Sequence, residues 1–131
     1  MNNLDLIDFF KNDHFAALTG VEIIEVKKGY CKAQLKISKK HLNAANVVQG
    51  GAIFTLADFA FGAASNSHGQ LALAINANIT FLKGVSKGIL YATATELDHP
   101  KKLGAYDVIV TNEKDEIIAR FNGLAYRKSD K

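Results

Sequence analysis

Cysteine occurs once in the 131 residues, at Cys31. That count excludes an internal disulfide and any zinc site built on several thiolates, and a lone thiol fits a reducing cytoplasm. There is no tryptophan and a single proline, and no Pro/Gly-rich or low-complexity stretch divides the chain. One domain over residues 1–131 is expected, long enough to bury roughly two-thirds of its unfolded-chain surface. No apolar run reaches the ~20 residues that a membrane-spanning helix needs. The opening MNNLDLIDFFKNDHF carries acids and lacks the basic segment of a secretory signal, so a cytoplasmic protein away from membranes is expected.

Strong charge of either sign is also missing: the net charge is +3 and the pI near 9.0. Lysines pair at 27–28, 39–40 and 101–102, but no aromatics interleave with them at a stacking distance, which argues against a nucleic-acid surface. This mild balance is ordinary solvated surface, and it also suits a small polyanion such as the phosphates of a nucleotide-bearing cofactor. Histidines stand at 14, 41, 68 and 99 without metal-ligand spacing, so no metal is expected. His41 and His68 are read as surface or packing residues. G-x-S-x-G, P-loop and G-x-G-x-x-G motifs are all absent.

Among the residues that are there, Leu4, Ile7, Phe10 and Phe15 fall at helical spacing before Gly20, which predicts one short amphipathic helix over 4–18. VEIIEVKKGYCKAQLKI reads as two strands around a tight turn at Lys28-Gly29. From Gly50 to about Asn66 few residues are β-branched and many are alanine. One long helix is predicted there, apolar nearly all round and hence wrapped by other structure, with Gly69 as its terminator. LAINANITFL then alternates, Leu73, Ile75, Ala77, Ile79 and Phe81 facing one way and Ala74, Asn76, Asn78 and Thr80 the other. Three more strands follow in ILYATATEL, AYDVIVTN and IIARFNGLAY, with short connections that demand antiparallel neighbours. A six-stranded antiparallel sheet wrapped around the long helix, an α+β fold, buries that helix most simply.

Inside the long helix sits one acid, Asp58, whose nearest charged neighbours in sequence are Lys40 and Lys83. A carboxylate alone in apolar surroundings costs several kcal/mol to desolvate unless something uses its charge. It is either a structural acid bonded to a neighbour such as Thr55, or it is the chemistry: a general base for water, or a nucleophile on a carbonyl carbon. At the helix start, Gly50 and Gly51 would let a ligand carbonyl approach free backbone N–H groups without a Cβ in the way. The plain alternative is a glycine pair used for tight helix entry. Asn46 is placed at the helix N-cap region. Cys31 is read as a small strand residue.

Gln49-Gly50-Gly51, AIFTLAD to Asp58 and FAFGAASNSHG resemble the hotdog-fold acyl-CoA thioesterases, in particular the phenylacetic-acid-pathway (PaaI-type) branch. Leu42-Asn43 before the motif, NITFLKG after the helix and the final AYDVIVTNEKDEIIARFNG extend the resemblance over roughly residues 15–128. It implies the hotdog fold, hydrolysis of an acyl-CoA with no cofactor beyond the coenzyme A of the substrate, and Asp58, Gly50, Gly51 and Gln49 as site residues. By the same resemblance Asn43 would hold the water or the carbonyl, unless it is a plain turn asparagine, and Lys83 and Gly84 would stand where the ligand enters, against coenzyme A. The family's histidine is Gln49 here; an amide donates a hydrogen bond but cannot carry a proton, which disfavours the dehydratase chemistry of other hotdog enzymes. Gly84 and Gly88-Ile89 replace residues that many relatives carry in the loop after Phe81-Leu82, and Ala74 and Asn76 stand where some have Ser or Thr.

An acyl-CoA thioesterase is the leading reading, with an aryl or medium-chain acyl group that Phe54, Phe59, Phe61 and Phe81 can surround if they are not plain core. The alternatives are a non-catalytic acyl-CoA-binding or sensing module and an enzyme acting on carrier-protein thioesters. Gly51 and Asp58 are about 10 Å apart along one helix axis, too far to meet on one carbonyl carbon. A two-fold dimer with Gly50 or Gly51 from one chain and Asp58 from the other is expected, and the resemblance implies homodimers or homotetramers with coenzyme A across the subunit boundary.

Overall fold

A computed structural model describes residues 3–98 and 102–128; His99 and Lys101 of the features above lie outside them. Two helices, α1 (Asn3–Phe10) and α2 (His14–Thr19), take the place of the single helix expected over 4–18. The break is chemical. Asp13 adopts an extended conformation and its side chain accepts the Ala16 N–H at 3.1 Å, an N-cap that starts a new helix instead of continuing the old one. Gly20, at φ 95°, closes α2.

Strands β1 (Val21–Lys27) and β2 (Tyr30–Lys36) follow, joined through Lys28-Gly29 with Gly29 at φ 70° as its turn requires. The long helix α3 (Gly50–Ser65) comes next, then β3 (Ala72–Phe81), β4 (Ile89–Asp98), β5 (Leu103–Thr111) and β6 (Ile117–Arg127). All six strands join one antiparallel sheet in the order β1-β2-β4-β5-β6-β3. The sheet curls around α3, as expected.

Small residues set how closely helix and sheet approach. Ala57, Ala60, Ala63 and Ala64 of α3 are fully buried, and so are Cys31, Ala33, Ala92 and Ala94 of β2 and β4. Ala33 pairs directly with Ala92, and Cys31 with Ala94. Larger side chains fill the ends of this seam: Leu56, Leu35 and Leu90 toward one side, Phe61 against Tyr106 and Phe121 on the other. A Cβ at Gly123 would lie 2.7 Å from the Phe61 ring, so β6 needs glycine there to admit the aromatic.

The helix ends at Ser65, before Gly69, because Asn66 takes over. Its Nδ2 donates to the Gly62 and Ala72 carbonyls and its Oδ1 accepts the Ala72 N–H, tying the helix end to the start of β3. Gly69, at φ 89°, serves the turn instead.

β3 departs from the expected alternation. A bulge at Ile75 shifts its register on β6, and the strand lies at the sheet edge. Leu73, Ile75 and Phe81, apolar residues expected to share one face, are about half exposed or more. No helix among the described residues is long and apolar enough to cross a membrane.

Candidate active site

The loop before α3 is fastened on both sides. Val48 N–H donates to the Val85 carbonyl at 2.8 Å, and Gln49 N–H to the His41 carbonyl at 2.8 Å. Gln49 is the N-cap residue: its carbonyl accepts the Ala52 and Ile53 N–H groups, while its side chain makes no capping bond. The N–H groups of Gly50 and Gly51 find no acceptor among the described residues. At the positive end of a 16-residue helix, two such donors are suited to a carbonyl oxygen that is gaining charge.

The two glycines are not equivalent. A Cβ at Gly50 would sit 2.9 Å from the Phe81 ring, so packing alone explains that glycine. Gly51 is exposed, and its Cβ would meet only the Gln49 Oε1, at 3.1 Å. It is the one with an open approach. Gln49 and Gly51 line a cavity of about 440 Å³ together with Phe15, Leu18, His41 and Thr55.

Asp58 lies elsewhere. It is half-buried in a second cavity, of about 300 Å³, between α3, the α1–α2 corner and the start of β3. Phe9, Phe10, Asp13, Phe59 and Leu73 are among its walls. No hydrogen bond or ion pair reaches the Asp58 carboxylate among the described residues, and the Thr55 hydroxyl donates instead to the Gly51 carbonyl at 2.8 Å. Burial raises the Asp58 pKa above the usual carboxylate range, and the charge of Asp13 raises it further. So one chain brings Gln49 and Gly51 together but keeps Asp58 apart from them.

The remaining candidates are placed as follows. Asn43 is tied into its turn: its Oδ1 accepts the N–H groups of Ala45 and Val47, and its own N–H reaches the Val47 carbonyl. Asn46 is not a cap; it sits at φ 63° within the same loop, three residues before the true N-cap. Lys83 pairs with Glu116 on the surface, and Gly84 lies beside Val47, so the loop after β3 does border the start of α3. His41 is a packing residue. Its Nδ1 accepts the Ser38 N–H at 2.9 Å, which leaves the proton on Nε2 to donate to the Thr19 carbonyl at 2.6 Å. His68 joins Glu96, Tyr106 and Arg127 in a polar cluster beyond the far end of α3.

Phe9, Phe10 and Asp13 had no role in the sequence beyond a lead-in helix, yet they wall the cavity of Asp58. The Asn12-Asp13 pair ahead of His14-Phe15 was the available signal, a capping dipeptide that splits the helix and turns it back.

With this geometry in hand, the comparisons with known proteins are specific. The family model described as thioesterase superfamily matches residues 45–119. A protein of Archaeoglobus fulgidus that carries the name "Putative esterase" is 45% identical over 122 residues, 92% of this chain and 79% of that one. The acyl-coenzyme A thioesterase PaaI of Escherichia coli is 34% identical over 119 residues, 90% of this chain and 85% of its own. The solved structure of the E. coli PaaI protein from the phenylacetic acid degradation operon superposes with a TM-score of 0.89, covering 93% of this chain and 89% of that one at 32% identity. The chain belongs to the thioesterase superfamily, as a hotdog-fold thioester hydrolase similar to PaaI.

Proposed function

We propose that this protein hydrolyses an aryl- or medium-chain acyl-CoA thioester at sites shared between two copies of the chain. The observation that carries the reading is Asp58: a carboxylate with no partner among the described residues, in a mostly apolar cavity, on the helix whose first N–H groups are free. The thioester carbonyl docks on the N–H groups of Gly50 and Gly51, with Gln49 beside it. Asp58 of the second copy takes a proton from water as the water oxygen attacks the carbonyl carbon. When the tetrahedral intermediate collapses, the C–S bond breaks and the proton passes to the departing coenzyme A sulfur. Direct attack by Asp58, giving an anhydride that water then opens, uses the same atoms.

Two further features support the dimer. Asp58 is the seventh residue after Gly51 on one helix, about 10 Å further along its axis. The edge strand β3 also leaves Leu73, Ile75 and Phe81 exposed beside an unpaired backbone edge, which a second copy would cover. Pairing of such dimers into tetramers, with coenzyme A across the boundary near Lys83 and Gly84, completes the proposed assembly. Phe9, Phe10 and Phe59 around Asp58 favour an aromatic acyl group.

The test is thiol release from a panel of aryl- and alkyl-CoA thioesters, run on the wild type and Asp58→Asn. The near-isosteric variant is expected to keep the fold and ligand binding and to lose well over ten-fold in kcat/KM, about 1.4 kcal/mol or more of transition-state stabilisation. A variant that retains more than a tenth of the activity would remove Asp58 from the chemistry. An acyl-CoA sensor would bind the panel and release no thiol.

A further inference from the structure

Two cavities meet at one pair of rings. The cavity of Asp58 and a larger one, of about 440 Å³ between α1, α2 and β1, have Phe10 and Phe59 as common walls. The two rings stand edge to face, with centroids 5.7 Å apart and planes at 86°. Phe59 is buried on α3, whereas Phe10 is the last residue of α1 and only partly buried. Its ring lies over Gly62, where a Cβ would be 3.6 Å away, and takes an edge contact from Phe9. This partition is held by van der Waals and ring contacts. Where the same cavity meets β3, its wall is hydrogen-bonded: Asn66 bonds the Gly62 carbonyl and both backbone polar groups of Ala72. The Phe10 side is the wall that one substitution can remove. Beyond the rings the lining turns to short aliphatic residues. Ala16, Ala17, Val21 and Ile23 line the far cavity, and its two charged residues, Lys11 and Glu22, are exposed. Such a space suits a straight hydrocarbon chain.

We propose that Phe10 is a specificity-determining residue: set edge-on against Phe59, it closes the Asp58 cavity to long straight acyl chains and shuts them out of the aliphatic cavity behind. A ring-sized acyl group stops at the two phenyl rings and packs on them. A longer chain has to pass between them, and with Phe10 in place its outer methylenes stay in water. The break between the two N-terminal helices thereby acquires a purpose, since α1 ends where its last side chain meets α3 and α2 turns back to wall the space beyond.

This inference rests on the acyl group lying beside Asp58, as proposed above, so its first test needs no turnover. S-benzyl-, S-hexyl-, S-decyl- and S-hexadecyl-coenzyme A are thioethers that cannot be hydrolysed, and calorimetry reads their affinities. In the wild type, affinity should stop rising once the chain reaches the rings, leaving the hexadecyl compound no tighter than the decyl. In Phe10→Ala the preference for S-hexadecyl- over S-benzyl-coenzyme A should rise about ten-fold or more, the gain expected from burying a few further methylenes. Phe10→Leu keeps apolar bulk on α1, in case the alanine variant folds poorly, and should move the same way by less. Ala17 lines the far cavity and not that of Asp58. Adding Ala17→Phe to Phe10→Ala refills the far cavity from α2 and should cancel the gain. Thiol release from benzoyl-, decanoyl- and palmitoyl-CoA should then show the same reversal in the ratios of kcat/KM.

Thioether preferences that stay at the wild-type pattern in both Phe10 variants would overturn the inference and leave the hydrolytic role of Asp58 standing. A gain that survives Ala17→Phe would mean that the chain runs elsewhere, and would overturn it as well. If Asp58→Asn released thiol as the wild type does, the proposed chemistry would fall, and the thioether series would still decide what Phe10 excludes.

Discussion

A shared site can be tested by mixing two dead chains. One carries Asp58→Asn, which removes the base and leaves its Gly51 intact. The other carries Gly51→Leu, which keeps Asp58 and covers the approach to the helix N-terminus. Leucine is a good helix former, and Gly51 is exposed with only Gln49 Oε1 close to its Cβ position, so folding should survive. In a homodimer of either chain both sites are broken. In a heterodimer one site combines the intact Gly51 of the first chain with the intact Asp58 of the second, and the other site combines both lesions. Random re-association makes about half the dimers mixed, each with one working site of two, so about a quarter of wild-type thiol release should return. Tandem purification with two different tags isolates the heterodimer, which should show about half of wild-type activity per dimer. A site contained within one chain predicts none. Purified heterodimers that stay inactive would refute the cross-subunit arrangement outright.

Four further outcomes are expected. Gln49→Ala should cost less activity than Asp58→Asn in the thiol-release assay, because the Gln49 amide borders Gly51 but cannot shuttle a proton. Asp58→Asn should melt at a higher temperature than the wild type near pH 7. The folded carboxyl is raised above its unfolded value, so its stabilising protonated form is fully present below the unfolded pKa and lost as pH rises through the folded one; the gap between variant and wild type should close in acid. Cys31, whose thiol burial pushes up to about 12, should resist an aromatic disulfide reagent at pH 8 until the protein is denatured. Glu96→Ala, which strips the buried Arg127 and Tyr106 of a shared acceptor, should lower stability on the order of 3 kcal/mol in a denaturant titration.

Much of the fold is legible because its signals are local. Glycine at a positive φ fixed the Lys28-Gly29 turn, alanine density marked α3, and short polar turns separated β4, β5 and β6. The first helix was misread for an equally local reason: apolar spacing runs straight through Asp13, but a capping carboxylate outweighs spacing. β3 failed differently. Alternation shows which residues share a face, and a bulge at Ile75 changes that phase within the strand. Nor can alternation show whether the chain itself covers the face. The apolar residues of β3 were real, and the chain itself leaves Leu73, Ile75 and Phe81 about half exposed or more.

The same distinction separates what was readable in the site from what was not. Asp58 and the glycine pair stood out as chemical anomalies in their own segment, whereas the Asn43 side chain answers to the turn next to it, the plainer of the two roles its sequence allowed. The walls around Asp58 come from some fifty residues away, and no spacing rule reaches that far. What the helix adds is direction. At about 100° per residue, Gly51, Thr55, Asp58 and Gly62 fall within one narrow stripe. None of the four is fully buried, while Ala57, Ala60 and Ala64 on the opposite side are sealed against the sheet. Gly51 and Asp58 therefore point the same way although they are too far apart to meet. The shared site we propose would lay an antiparallel copy of the helix along the Gly51 end of that stripe, where a Cβ would meet only the Gln49 Oε1. The helix is thin on one side for the sheet, and under the proposed dimer its thin other side would face a second copy, with Asp58 where that copy could use it.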